Sequence, residues 1–199
     1  MSFDLFWALL LFTLVMTVTP GPNTMMLLAS GVNFGFRATV PHMAGITLGF
    51  GLMTIVVGMG LGEIFKLYPS LYVALSYVGA AYILYLAWKI AMTRSVGGGK
   101  TGGGPMTFLQ AATFQWINPK AWVMAVTAIT TYSVQGAYSF SVLLLAATFM
   151  VMSVPGCSVW ILFGSSVRHW LDGSKRLRIF NVTMASLLVL SLVPTFWPG

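Results

Sequence analysis

Negative charge is what this sequence has least of. Across 199 residues there are three acidic side chains, Asp4, Glu63 and Asp172, against ten basic ones. Charged residues make up only 7% of the chain and hydrophobic residues 58%, whereas a soluble domain carries roughly 25% charged residues. A water-soluble fold is excluded. Cysteine is nearly missing too: a lone Cys157 rules out an internal disulfide and a Cys-x-x-Cys redox pair. With two histidines, His42 and His169, and no clustered carboxylates, a metal site has almost no ligands to draw on. No metal and no other cofactor is expected. No basic stretch precedes the first apolar run and no small-residue cleavage site ends it, so that run reads as a retained span.

The surplus of base gives a formal charge of +7, but the basic residues form no dense patch interleaved with aromatic readers, which argues against nucleic acid. They sit between apolar runs, where membrane topology places them. Six stretches are long and apolar enough to cross a bilayer: Leu5–Ser30, Ala38–Leu61, Ser70–Met92, Phe108–Tyr132, Ser139–Val167 and Leu177–Phe196. The longest separator, "RSVGGGKTGGG", is flexible by composition and divides the chain into two halves of three spans. The expected organisation is a three-helix repeat over residues 1–95, a cytoplasmic glycine-rich linker over 96–106 and a second three-helix repeat over 107–199.

Arginine and lysine orient these spans. Arg37 lies in the first loop; Lys89, Arg94 and Lys100 in the third; Arg168, Lys175, Arg176 and Arg178 in the fifth. The second loop has Lys66 offset by Glu63, and the fourth, around "YSVQGAY", has none. The positive-inside rule makes the odd loops cytoplasmic and both termini periplasmic. Because each half has an odd number of spans, the second enters the membrane opposite to the first. The expected fold is therefore all-α and polytopic, with six transmembrane helices arranged as two inverted three-helix repeats.

Matching interruptions support the repeat. "TPGPN" breaks the first span and "INPKAW" the fourth. Pro20 falls about 21 Å along a helix begun near Phe6, and Asn118-Pro119-Lys120 about 18 Å along one begun at Phe108, both near the midplane of a ~30 Å core. Thr19-Pro20 and Asn118-Pro119 each read as a helix start, an N-cap acceptor followed by proline at the first position, and Gly21-Pro22-Asn23 offers the same choice one step later. Helices 1 and 4 are then pairs of half-helices, whose mid-membrane starts expose N–H groups and partial positive charge suited to an anion. Packing kinks and a snorkelling lysine are the bland alternatives. Two breaks in equivalent spans, one bearing Lys120 at a depth where charge is costly, favour a binding site. Its candidates are Thr19, Pro20, Gly21, Pro22, Asn23, Asn118, Pro119 and Lys120, with Gln115 and Trp160 as further lining.

Other features are secondary. Gly45 and Gly49 form a GxxxG suited to close helix contact. His42 near the cytoplasmic end of the second span is a candidate proton carrier beside Lys120, or a structural histidine. Pro155-Gly156 interrupts the fifth span as a hinge or a packing kink. Trp7, Tyr68, Trp88, Trp170 and Trp197 suit an interfacial belt, and Cys157 reads as a small buried residue.

These segments resemble a known family. "TPGPN", "NFGFR", "HMAGITLGFG", "GAAYILYLAWKI" and "INPKAW" look like the LysE/RhtB family of amino-acid exporters, in register over nearly the whole chain. "AAYILYLAWKIA" and "VTAITTY" are similar to its cysteine and O-acetylserine exporter branch. The resemblance implies a bacterial inner-membrane protein that expels amino acids by exchange with protons, its conserved elements falling on Thr19 to Asn23 and Asn118 to Lys120. The chain departs from the family in its fifth span, where many relatives carry an acidic residue and "VPGCSVWILFG" has none. A carboxylate-based proton relay is thereby put in question.

The leading expectation is a secondary exporter of small neutral amino acids, with alternating access around a midplane site. Its partners are the amino-acid substrate, the lipid bilayer and a possible second copy of the chain. An enzyme would need a nucleophile–base pair or metal ligands at membrane depth, and neither is visible. A passive amino-acid channel or a membrane assembly subunit is the competing reading.

Overall fold

The computed structural model describes residues 2–62, 67–93, 104–171 and 174–196, and among these every regular element is helical. Among the described residues nine α-helices follow one another: α1 Phe3–Val18, α2 Pro22–Phe34, α3 Phe36–Val56, α4 Pro69–Met92, α5 Phe108–Phe114, α6 Pro119–Tyr132, α7 Tyr138–Val167, α8 Ser174–Leu190 and the short α9 Val193–Phe196. A wide π-turn, Val57–Leu61, prolongs α3, and a tight 3-10 turn, Gln115–Ile117, ends α5. Glu63, Lys66, Arg94, Lys100, Asp172, Trp197 and most of the expected glycine-rich linker lie outside the described residues.

Three helical stretches among the described residues, Phe36–Leu61, Val73–Met92 and Tyr138–Leu171, are long and apolar enough to cross a membrane. The pair α1–α2, bent by 55° at its break, makes a fourth if counted as one span. The two remaining expected spans are built from shorter pieces: α5 and α6 have 7 and 14 residues, and α8 has 17. The chain is a multi-pass, all-helical membrane protein.

Helix α7 is the hub, with α1, α2 and α3 packed along it. Helix α3 also packs on α5, and α4 pairs with α8. Without a hydrophobic drive in lipid, close backbone approach supplies much of the adhesion. Gly45 and Gly49 of α3 serve that end: a Cβ on Gly49 would sit 2.5 Å from Ala112 Cα of α5. Pro155 does not interrupt α7, contrary to the expectation from sequence. The helix runs through it, the ring faces outward, and Gly156 beside it is buried where α1 comes close at Thr17. In the half of the bundle containing α1 and the end of α6, Phe12, Phe50, Tyr132 and Phe149 form an aromatic plug, with the Phe50 and Phe149 rings 4.9 Å apart edge to face.

Trp7, Tyr68, Trp88 and Trp170 are all more than half exposed, as an interfacial belt requires, and Cys157 is buried. The first and fifth loops share one end of the bundle, since a Cβ on Gly35 would meet the Arg168 guanidinium at 2.9 Å.

Candidate functional site

The first break is three residues long. Helix α1 makes its last bond from Thr19 N–H to Val15 O at 2.9 Å; Pro20 has no N–H to continue it and holds Thr19 extended. Of the two starts "TPGPN" offers, the second is used. Gly21 is the N-cap and Pro22 the first residue of α2, while Thr19 is the C-cap of α1. Gly21 has φ 179°, ordinary extended backbone. At the second break Asn118 is the N-cap, its Oδ1 accepting from Lys120 N–H at 3.2 Å, and Pro119 opens α6.

A broken helix in lipid is tolerated only if its freed backbone groups find partners. At the first break the carbonyls from Val18 to Gly21 all do. Trp160 Nε1 of α7 donates to Val18 O at 3.0 Å. Lys120 Nζ donates to Thr19 O and Thr19 Oγ1, both at 2.8 Å, and to Pro20 O at 3.4 Å. Gly21 O accepts from Met25 N–H and from Thr24 Oγ1. The donor side differs. Thr24 Oγ1 takes the Gly21 N–H at 2.8 Å, but the N–H groups of Asn23 and Thr24 find no acceptor among the described residues.

The two breaks are in direct contact, and Lys120 is the bridge. The sequence places Lys120 at the second helix start; in the structure its ammonium reaches across to the carbonyl end of α1. A second tie joins Asn23 to Gln115: Asn23 Nδ2 donates to Gln115 Oε1 at 2.8 Å, and Gln115 Nε2 donates back at 3.3 Å and to Ala111 O at 2.8 Å. Gln115 is fully buried.

Between the breaks lies a cavity of about 40 Å³ whose walls include Gly21, Asn23, Gln115, Asn118 and Lys120. Thr24, Ser153 and Cys157 line it too, and sequence reasoning did not put them there. The Thr24 hydroxyl, one turn after a helix start, was a legible signal. Thr19, Pro20, Pro22, Pro119 and Trp160 frame the cavity through their backbone or a hydrogen bond without lining it. His42, on α3, is elsewhere, lining a separate cavity beside the far end of α2. The cavity between the breaks is much smaller than this other one, which measures about 260 Å³. No group of three or more potential metal ligands occurs among the described residues.

Comparison with known proteins identifies the family. The family model for LysE type translocators matches residues 14–191. The chain is 30% identical to the cysteine/O-acetylserine efflux protein of Salmonella typhi over 203 residues, covering 99% of this chain and 98% of that protein. It is also 30% identical to the cysteine/O-acetylserine efflux protein of Escherichia coli (strain K12) over 194 residues, 96% of each. No solved structure matches the chain.

Proposed function

The chain belongs to the family of LysE type translocators, transporters rather than enzymes, and from that premise we propose that it exports small neutral amino acids across the bacterial inner membrane. Cysteine and O-acetylserine, the compounds in the names of its relatives, are the first candidates. The transport is proton-coupled and alternates access around the two helix breaks.

One observation carries the reading: the Lys120 ammonium is paired, at the contact of the breaks, with the Thr19 hydroxyl and the Thr19 and Pro20 carbonyls. A zwitterion presents the complement of each half of that pair. Its carboxylate takes Lys120 together with the open N–H groups of Asn23 and Thr24, where the start of α2 favours an anion. Its ammonium takes the carbonyls that Lys120 leaves. Substrate thus replaces an internal contact with two of its own, and the break stays satisfied in both states. Asn23 and Gln115, locked to each other, and Asn118, which fixes the first turn of α6, hold the geometry.

The helix pairings support an inverted repeat. Exchanging α1–α2 with α5–α6, α3 with α7 and α4 with α8 carries α1–α7 onto α3–α5, and α3–α7 and α4–α8 onto themselves; the most extensive pairing, α2–α7, falls on the much slighter α3–α6 contact and departs from the symmetry. The half-helices after the breaks have 13 and 14 residues. Those before them differ, 16 in α1 against 7 in α5. On the orientation given by the positive-inside rule, both termini are periplasmic and the plug of Phe12, Phe50, Tyr132 and Phe149 closes the outward path in this conformation. Rocking one repeat on the other opens it. No acidic residue falls within the spans expected from sequence, so the proton is carried by Lys120, with His42 as the second carrier.

Purified protein in vesicles loaded with a panel of labelled amino acids, with and without an opposing pH gradient, tests this. Saturable efflux of cysteine or O-acetylserine that accelerates with the gradient is the expected result. Non-saturating flux indifferent to the gradient would indicate a channel, and no flux for any amino acid would remove the exporter reading.

A further inference from the structure

The larger cavity, about 260 Å³, lies at the end of the bundle where α2 ends and α4 ends. Helix α2 joins it to the midplane site. Thr24 lines the small cavity and Met26, half a turn on, lines the large one. His42 is the group here whose surroundings are incomplete. It is 1% exposed, it lines this cavity, and neither ring nitrogen has a hydrogen-bond partner. Buried polar groups are rarely left unpaired, because each such loss is costly. The ring lines the cavity while its nitrogens are sealed in the wall, so a ligand that enters and shifts that wall can supply the missing partner.

The other polar walls define that ligand. Thr39 spends its single hydroxyl proton on Gly35 O at 2.8 Å, so in the 2.8 Å contact between Ser30 and Thr39 the donor is Ser30. Ser30 Oγ therefore turns only lone pairs to the cavity. Both amide protons of Asn33 are engaged, by Ala29 O and Asn181 Oδ1, and its Oδ1 accepts from Asn181 Nδ2 at 3.1 Å, which leaves Asn33 one lone pair as an acceptor. Across the same cavity is Lys89, in the last turn of α4. Its ammonium stands 5.9 Å from the centre of the Tyr85 ring, and no carboxylate pairs with it among the described residues. Acceptors from α2, a cation from α4 and an imidazole able to do either make a wall that fits a zwitterion.

We propose that this cavity is a second amino-acid site, which loads substrate at the cytoplasmic end before it passes along α2 to the helix breaks. Lys89 holds the carboxylate, Ser30 and Asn33 accept from the ammonium, and His42 completes the cradle. The inference rests on the exporter reading above.

Equilibrium binding of radiolabelled O-acetyl-L-serine and L-cysteine to the purified full chain in nanodiscs, paired with efflux from vesicles, tests it. Wild type should bind two molecules per chain. Lys89→Gln and, independently, Ser30→Val should each bind one and raise the KM for efflux about tenfold, with a smaller change in kcat. His42→Gln, which keeps a donor and an acceptor, should retain part of the second site. Lys175→Gln, an exposed cation at the same end, should match wild type. One site in wild type, or an unaltered stoichiometry and KM in both Lys89→Gln and Ser30→Val while wild type exports, overturns the loading site and leaves the exporter reading standing. A wild type that exports nothing overturns both.

Discussion

Gly21→Ala isolates the position of the Lys120 ammonium from its charge. A Cβ at residue 21 would lie 2.9 Å from Lys120 Cδ and 3.3 Å from Nζ, so the lysine has to swing away. The extended backbone at φ 179° accepts alanine without strain, and a compatible Gly→Ala change stabilises by ~0.4–1 kcal/mol through the unfolded chain. Against that stands the loss of two 2.8 Å bonds to Thr19. Hydrogen bonds to charged groups contribute ~1.5–3 kcal/mol each, but Lys120 is only partly buried and water recovers much of the loss. After that discount the substitution is expected to destabilise by about 1 kcal/mol, a melting shift of a few degrees. Transport has no such compensation, because a displaced ammonium forfeits a charge-assisted hydrogen bond to the substrate carboxylate, ~1.5–3 kcal/mol. Efflux of O-acetylserine per folded molecule should fall between about tenfold and 100-fold, at ~1.4 kcal/mol per tenfold. Gly136→Ala, with open space around its added methyl, is the control. Wild-type efflux from well-folded Gly21→Ala would refute the reasoning.

Three further outcomes are expected. Pro119→Ala should let the helix run on through the second break, so transport drops while the melting temperature holds or rises; lost stability with normal transport per folded molecule would mark the proline as a packing device. Gln115→Ala leaves Asn23 without its buried partner, and an orphaned buried polar group costs ~1–3 kcal/mol, so substrate affinity should weaken about tenfold; an unchanged dissociation constant contradicts the role given to that pair. In a Cys157→Ala background, a cysteine at Gly104 should label only from the cytoplasm and one at Gly136 only from outside. Labelling at both from one side ends the inverted topology.

The membrane class was legible because composition decides it, and the broken helices because proline admits few explanations at such depth. The cap at Asn118 was legible as well, since one side-chain acceptor precedes one proline. "TPGPN" was harder. Two prolines offer two starts with equal local chemistry, and the decision is made from 101 residues away, where Lys120 needs the Thr19 carbonyl and hydroxyl as acceptors. Pro155 misled for a related reason: local rules penalise a proline in a helix, but this ring faces outward while its neighbour Gly156 takes the close contact with α1. His42 stood out as a histidine within an expected span, yet its cavity depends on α2, α3 and α4 meeting, which no periodicity encodes. The buried Asn33–Asn181 pair joining α2 to α8 was passed over for the same cause. Each asparagine alone looks like a polar residue in an apolar run.

The central claim is that Lys120 binds the substrate rather than only tying the breaks together. Lys120→Met measures it, because methionine keeps much of the side-chain length and removes the charge. Truncating one partner of a buried charge pair costs ~2–5 kcal/mol, and each ~1.4 kcal/mol is tenfold. Labelled O-acetylserine should therefore bind to the midplane site of Lys120→Met at least ~30-fold more weakly than to wild type, with efflux close to background and membrane insertion intact. Wild-type affinity and efflux in Lys120→Met would contradict the account.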